Sequence, residues 1–265
     1  ANRLSLGMQA AQDGLLERLG RIHRMPDVVA GVRMARAAGF DNLNLDLIYG
    51  LPGQMRADWA QTLRTALDLS PEHLSCYALI VEEGTRLALA MQEGRLPPVP
   101  GEDDERAMYG MAIETAQAAG LAQYELSNFA QPGRACRHNL TYWECRPYLG
   151  VGLAAHSYMD GHRFGNTASM GAYMTCVREG RSAAQEDEVI GDDERMFERV
   201  MLGLRLTQGV DGARFQADFG RTLSQRFGAP LERMVCAGLL EWDGSFLRLT
   251  RRGMDVQNAI LVELM

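Results

Sequence analysis

The sequence predicts an α/β fold in three parts: a parallel β-α-β segment over residues 1–94, a small α+β extension over 95–190 and a winged-helix-like domain over 191–265. Strand-like and helix-like segments alternate over the first 80 residues, as in a parallel sheet. Several helical segments precede a short hairpin near the end of the chain. The proline- and acid-rich residues 95–104 separate the first part from the second.

Local signals mark each element of the first part. Pro26 begins an alanine-rich helix that ends at Gly39, and Pro71 follows a second helix. In the second strand, leucines alternate with Asn44 and Asp46, so one face is apolar and the other carries an amide and a carboxylate. The predicted strands are 2–7, 43–48 and 73–80, and the predicted helices are 26–38 and 57–69.

The two remaining parts have different patterns. After the linker, residues 105–119 form a strongly amphipathic helix, and segments of alternating polarity then run from 122 to 165. The third part is predicted to contain helices at 193–207, 212–219, 230–237 and 253–264, with strands at 239–242 and 246–250 that turn at Asp243-Gly244. Helices followed by a two-stranded wing are typical of winged-helix domains, which often bind DNA.

Composition excludes several classes of function. The net charge is −7, and arginines and acidic residues are nearly equal in number over 191–265, so a docking role is favoured over nucleic-acid binding. No apolar run approaches the ~20 residues that span a bilayer, so we expect no transmembrane segment. The five cysteines are odd in number and scattered, which argues against a disulfide framework and predicts a cytoplasmic protein.

The segment with the most unusual chemistry is His138-Asn139-Leu140-Thr141-Tyr142-Trp143, followed by Tyr148-Leu149-Gly150-Val151-Gly152-Leu153-Ala154-Ala155-His156. Imidazole is the commonest metal ligand among side chains, and it can also bind a haem iron. Tyrosine and tryptophan offer flat apolar faces to a planar ligand. Taken alone, the segment is more typical of a buried strand end whose histidine and asparagine form hydrogen bonds to the backbone.

These two segments resemble the HemW family of haem chaperones, which are close relatives of the oxygen-independent coproporphyrinogen III oxidases in the radical SAM superfamily. The resemblance extends along nearly the whole chain, through residues 3–9, 19–23, 44–53, 73–77 and 82–85. It implies that residues 1–94 are strands four to six of a radical SAM (β/α)6 partial barrel. The α+β extension and the winged-helix-like domain would then follow this C-terminal half of the barrel.

The resemblance also implies two sets of ligand-binding residues. The S-adenosylmethionine site would contain Gln9, Arg21, Asp46 and Ile80, close to the turn Gly50-Leu51-Pro52-Gly53. The haem candidates are His138, Asn139, Tyr142, Trp143 and His156, with His138 as the leading ligand of the haem iron and His156 as the second. Cys136 or Cys145 could instead supply a thiolate ligand, whereas His23 and His73 are interpreted as structural and His162 as solvated.

The cysteines lack the C-x3-C-x2-C spacing that holds a 4Fe–4S cluster in radical SAM enzymes, because Cys76, Cys136, Cys145, Cys176 and Cys236 are too far apart. Three strands also cannot close a barrel and would leave an unpaired edge. We therefore interpret the chain as the C-terminal two thirds of a longer protein and expect no radical chemistry from this polypeptide alone. The intact family member would use S-adenosylmethionine, a 4Fe–4S cluster and haem.

Three functions remain as hypotheses. The first is haem binding and transfer of the HemW type, with haem or a porphyrin as ligand and a haem-accepting membrane or respiratory protein as partner. The second is an oxygen-independent coproporphyrinogen III oxidase, which removes two propionate carboxyl groups in porphyrin biosynthesis. The third is a protein- or nucleic-acid-docking module built on the winged helix.

Overall fold

A computed structural model describes the backbone of residues 2–265 and the side chains of all of these except residue 186. The chain packs into two compact units, one ending at Ala135 and the other beginning at Cys136. Within residues 2–265, no helix combines the length and the apolar character needed to cross a bilayer. The predicted division into three parts stays a prediction.

The N-terminal unit is built on one mixed five-stranded sheet in the order β1-β2-β3-β5-β4. The first three strands are parallel and do not close a barrel, and β5 and β4 add to the sheet in antiparallel directions. Its elements are β1 Leu4–Gln9, α1 Asp13–Arg18, α2 Met25–Ala37, β2 Leu43–Tyr49, α3 Arg56–Asp68, β3 His73–Ala78, α4 Arg86–Gln92, α5 Glu102–Ala118, β4 Ala122–Glu125 and β5 Asn128–Ala130.

One face of this sheet forms the main hydrophobic core. Leu45 pairs with Leu74 in the strand register, and both side chains are fully buried. Against them pack Trp59 of α3 and Met108 of α5, and the Trp59 indole Nε1 donates a hydrogen bond to the Met108 carbonyl over 2.7 Å. Burying these large apolar groups is the main stabilising contribution to the unit.

The opposite face of the same strands is polar, because side chains alternate across a strand. Asn44 is 1% exposed, and its amide nitrogen donates to Ser5 Oγ over 3.0 Å and to Asp46 Oδ1 over 2.7 Å. The amide oxygen of Asn44 accepts from Ser75 Oγ over 3.1 Å and lies 2.7 Å from His73 Nδ1. The amide therefore joins all three parallel strands, so this face is fixed before any ligand binds.

The C-terminal unit contains two three-stranded antiparallel sheets, β6-β7-β8 and β10-β11-β9. Within residues 191–265, three helices precede the final hairpin, as the sequence predicts. The elements are α6 Arg137–Trp143, β6 His156–Met159, β7 His162–Asn166, α7 Met170–Arg178, β8 Ala184–Val189, α8 Asp192–Gly203, β9 Val210–Asp211, α9 Gly212–Phe219, α10 Leu223–Cys236, β10 Leu240–Trp242, β11 Phe246–Leu249, α11 Arg251–Asp255 and α12 Gln257–Leu264.

Several sequence-based boundaries are wrong. The helix predicted from residue 105 begins at Glu102, because four acidic residues in its first turn suit the positive end of the helix dipole. The helix predicted over 230–237 corresponds to the second half of α10; a first half from Leu223, which was not predicted, precedes it, and the non-helical Gly228, with a φ of 46°, separates the two. The closing helix predicted over 253–264 is two helices that meet at Val256. The alternating pattern over 122–165 contains the helix α6, so the segment His138–Trp143 is not a strand end.

Candidate functional site

Of the residues predicted to hold S-adenosylmethionine, Gln9, Arg21 and Ile80 lie at or beyond the carboxyl ends of the parallel strands, whereas Asp46 is the fourth of the seven residues of β2. Gln9 ends β1 with a φ of 65°, a left-handed conformation that favours glycine, and its side chain is 8% exposed. Asp46 is half-buried on the polar face of β2 beside the Asn44 amide. Arg21 is exposed after α1, and Ile80 is 79% exposed after β3. Ligands of parallel sheets bind at this edge, and strained non-glycine residues are common at such sites.

The turn after β2 is fixed by packing that the sequence did not reveal. Leu51 is fully buried against Leu15 and Leu16 of α1, a helix that was not predicted. The Arg18 guanidinium donates to the Pro52 carbonyl over 2.9 Å, which ties α1 to the same turn. This six-residue helix is too short to give a clear periodic signal, but it holds the turn at the carboxyl edge of the parallel strands.

The segment His138–Trp143 forms most of α6, a helix of seven residues without a fully buried side chain. Residues four apart share a helix face, so His138 lies above Tyr142, and Asn139 lies above Trp143. The His138 imidazole is exposed and meets the Tyr142 ring edge-on, with centroids 4.8 Å apart. Helix formation therefore divides the predicted haem residues between two faces.

One of these faces continues as an aromatic row formed by His138, Tyr142, Tyr148 and Tyr158. The Tyr142 and Tyr148 rings meet edge-on at 4.7 Å, and the Tyr148 and Tyr158 rings are tilted at 6.5 Å. Backbone hydrogen bonds in both directions between Tyr148 and Tyr158 hold the last pair together, and burial raises the pKa of Tyr148. Tyr148 and Tyr158 were not among the predicted haem residues, although their rings extend the surface that His138 begins.

The other predicted haem residues have different surroundings. The Arg205 guanidinium lies 4.4 Å from the centre of the Trp143 ring, a cation–π contact. Asn139 accepts a hydrogen bond from the Cys136 thiol over 3.4 Å. His156 begins β6 two residues before Tyr158, on the same side of the strand, and its ring covers the backbone of Gly165. The structure therefore brings His138 and Tyr142 together and places Trp143 and Asn139 elsewhere on α6.

A second feature of the C-terminal unit has no counterpart in the sequence-based prediction. Four arginines, Arg146, Arg195, Arg199 and Arg214, line a cavity of about 370 Å³, here called the arginine cavity. The residues around it come from the segment that follows α6, from β6 and the turn after it, and from α8 and α9, so only folding brings them together. Tyr158 of the aromatic row also lines this cavity.

Cys145 faces the arginine cavity from a backbone with a φ of 49°. Burial raises the pKa of the Cys145 thiol, and this effect outweighs the opposite influence of the nearby Arg199. A thiol with a raised pKa is a poor source of the thiolate that binds iron. Burial therefore argues against Cys145 as the alternative thiolate ligand.

The side chains do not fit an iron–sulfur cluster. Cys76 is buried in the N-terminal unit, whereas the other four cysteines belong to the C-terminal unit. Among the residues that the structure describes, no three His, Cys, Asp or Glu side chains are grouped so that they could hold a metal ion. We therefore assign no cluster chemistry to this chain.

Comparison with known families agrees with the resemblance seen in the sequence. Residues 1–66 match the family model of the radical SAM superfamily, and residues 191–256 match that of the HemN C-terminal domain. A solved structure described as coproporphyrinogen III oxidase (HemN) from Escherichia coli, a radical SAM enzyme, superposes with a TM-score of 0.78 and 20% identity. The alignment covers 99% of this chain and 64% of that one, and at this identity it shows the fold alone.

Curated relatives share more of the sequence. "Heme chaperone HemW" of Bacillus subtilis is 39% identical over 98% of this chain and 68% of its own length. The protein of the same name from Synechocystis is 40% identical over 80% of this chain and 52% of its own length, and that from Escherichia coli is 33% identical over 98% and 67%. The chain thus spans between about half and two thirds of the length of these relatives. The chain belongs to the HemW family within the radical SAM superfamily.

Proposed function

We propose that this chain binds haem on the aromatic row and that the protein passes the haem to an acceptor protein. The observation that carries the proposal is the exposed His138 imidazole at the end of a continuous row of tyrosine rings. The name of the HemW relatives, heme chaperones, supports the same ligand.

The row suits a ligand that must later be released. His138 is exposed and belongs to a helix without a fully buried side chain, so iron can reach its ring from solvent. Imidazole nitrogen is a common axial ligand of haem iron. The tyrosine rings add an apolar surface beside it, and such a surface lowers the cost of removing a flat macrocycle from water. An open surface exchanges its ligand more readily than a closed pocket, which is the property that a carrier needs.

Titration of the chain with hemin, followed by absorbance, tests the proposal. We expect a saturable shift of the Soret band and a loss of at least about tenfold in affinity in the His138→Ala variant, since one iron–imidazole bond is removed. His162→Ala is the matched control, because His162 is a half-exposed histidine of the same unit that lies outside the row and contacts Asp187. A wild-type chain without a saturable shift, or a His138→Ala variant with unchanged affinity, would overturn the proposal.

We also propose that the carboxyl edge of β1–β3 is the S-adenosylmethionine site of the protein. The residues fit the group, because the half-buried Asp46 carboxylate can accept from ribose hydroxyls and the exposed Arg21 guanidinium can bind a carboxylate. Gln9 adds a buried amide at the end of the neighbouring strand, and Ile80 adds an exposed apolar side chain for the adenine. When S-adenosylmethionine is bound, these residues would orient its adenosyl and methionyl groups.

Equilibrium dialysis with S-adenosylmethionine tests this second site. We expect Asp46→Ala to lower the affinity at least about tenfold through the lost charge-assisted hydrogen bonds. Asp41→Ala is the control, since Asp41 is an exposed aspartate of the same unit that pairs with Arg134. If the wild type and Asp46→Ala bind S-adenosylmethionine with equal affinity, Asp46 is not part of the site.

A further inference from the structure

The arginine cavity holds guanidinium groups whose hydrogen-bonding capacity is not filled by the protein. The Nε atoms of Arg195 and Arg199 are buried and have no hydrogen-bond partner within the described part of the chain. Both guanidinium groups lie over the Phe219 ring, with distances of 5.5 and 5.9 Å to its centre. Stacking on an aromatic ring fixes the planes of these groups while leaving their edges free to donate.

Of the three carboxylates that line the cavity, Glu198 and Asp218 are already bound to arginines, and Asp160 adds a further negative charge to its wall. Glu198 accepts from Arg163 over 2.6 Å, and this hydrogen bond raises the pKa of Arg163. Asp218 lies 3.0 Å from Arg199 and 3.8 Å from Arg214. Each guanidinium has five N–H donors, so one carboxylate shared between two arginines leaves several donors unused. A planar anion such as a carboxylate matches the donors that remain.

The cavity is continuous with the aromatic row. Tyr158 belongs to the row and also lines the cavity. The Tyr148 hydroxyl is close enough to Glu198 and Arg163 for their charges to influence its titration. A ligand that fits both features therefore has a flat apolar ring with anionic groups at one edge.

We propose that the arginine cavity binds the propionate carboxylates of a tetrapyrrole whose ring lies on the aromatic row. This inference rests on the proposed haem-binding function and adds an orientation to it. The iron ligand lies at one end of the row, and the acidic edge of the macrocycle faces Arg195, Arg199 and Arg214 at the other. The arginines favour macrocycles with free carboxylates over those without them and thereby set the ligand specificity.

Hemin and its dimethyl ester, in which both propionates are uncharged, test the inference on the full chain. We expect the wild type to bind hemin at least about tenfold more tightly than the ester, because charge-assisted hydrogen bonds are lost with the ester. An Arg195→Gln/Arg214→Gln double variant should bind hemin as weakly as the ester and bind the ester as the wild type does. Arg233→Gln is the control, since Arg233 is an exposed arginine of the same unit that pairs with Glu263 outside the cavity.

The outcomes separate the two proposals. If neither hemin nor the ester binds, the haem-binding function fails and the inference falls with it. If both bind the wild type equally, haem binding stands and the carboxylate site is refuted. The ratio of hemin to ester affinity in the wild type decides the question even if the double variant does not fold. Arg199→Lys keeps the positive charge beside Asp218 but loses the planar guanidinium with its paired donors. This variant should therefore show a smaller preference for hemin over the ester, but not lose it.

Discussion

The imidazole of His138 meets the ring of Tyr142 edge-on, with the ring centroids 4.8 Å apart and an angle of 88° between the ring planes. This contact exists because residues 137–143 are helical, since a strand would place side chains four positions apart far from each other. Tyr142 in turn contacts Tyr148, so it sits between the predicted iron ligand and the rest of the aromatic row. The orientation of His138 therefore depends on the Tyr142 ring.

Tyr142 provides a direct test of this dependence. We expect Tyr142→Ala to lower hemin affinity at least about tenfold, because two edge-to-face contacts worth about 0.5–1.5 kcal/mol each are lost and His138 is released. Tyr142→Phe keeps the ring and should remain within about threefold of the wild type. Soret titration of both variants measures the difference. A folded Tyr142→Ala variant with wild-type affinity would show that haem binds elsewhere.

Acid sensitivity is expected from His73, which is fully buried between Asn44 and Tyr124. Burial, with a smaller contribution from the charge of Arg3, lowers the pKa of His73 to about 3. The unfolded chain has an ordinary histidine pKa of about 6.5, so it binds more protons than the folded chain between these two values. The contribution of neutral His73 to the free energy of unfolding is therefore fully present above pH 6.5 and is lost as the pH falls below that value.

The free energy of unfolding should fall by about 2 kcal/mol between pH 7 and pH 5 from His73 alone. Urea denaturation across this range measures it. His73→Gln should be less stable at pH 7 but should lack this part of the pH dependence. His162→Gln should keep the dependence, because His162 is half-exposed. An unchanged slope in His73→Gln would show that other groups cause the acid sensitivity.

Much of the fold follows from local sequence signals. The leucine alternation in β2 and the proline in the first turn of α2 placed both elements within about a residue of their observed bounds, because these signals act within the element itself. The helix α6 was missed because its seven residues have no apolar stripe and its position depends on packing against α8. Short helices of this kind are stabilised by tertiary contacts, which a local pattern does not contain.

The candidate site was predictable only in part. His138 and Tyr142 stand out because a histidine and an aromatic residue fall in one short segment with a recognisable spacing. The arginine cavity has no such signal, because Arg146, Arg199 and Arg214 are separated along the chain and each resembles an ordinary surface residue. Their convergence depends on the packing of α8 and α9, which is a property of the folded unit.

The contact between α3 and α5 is expected to depend on one indole hydrogen bond. Trp59 is fully buried and donates to the Met108 carbonyl over 2.7 Å. Trp59→Phe keeps most of the apolar volume but removes the donor, so we expect a loss of about 1–3 kcal/mol in the free energy of unfolding. Urea denaturation measures the loss. Trp242→Phe, at a residue that is 42% exposed, is the control and should cost less than about 1 kcal/mol.

The turn after β2 is expected to tolerate no side chain at Gly53, for a reason beyond its φ of 70°. A Cβ there would lie 2.6 Å from Pro97 Cγ and 2.8 Å from Arg18 Nη1, the arginine that holds the turn. Gly133 has a similar φ of 76° but no atom within 4 Å of its Cβ position, so Gly133→Ala measures the backbone cost alone, about 1–2 kcal/mol. Gly53→Ala should cost about 1–3 kcal/mol more, because Pro97 and Arg18 must move. Urea denaturation of the two variants gives the difference, and equal losses would mean that the turn is free to shift and does not fix the ligand edge of β2.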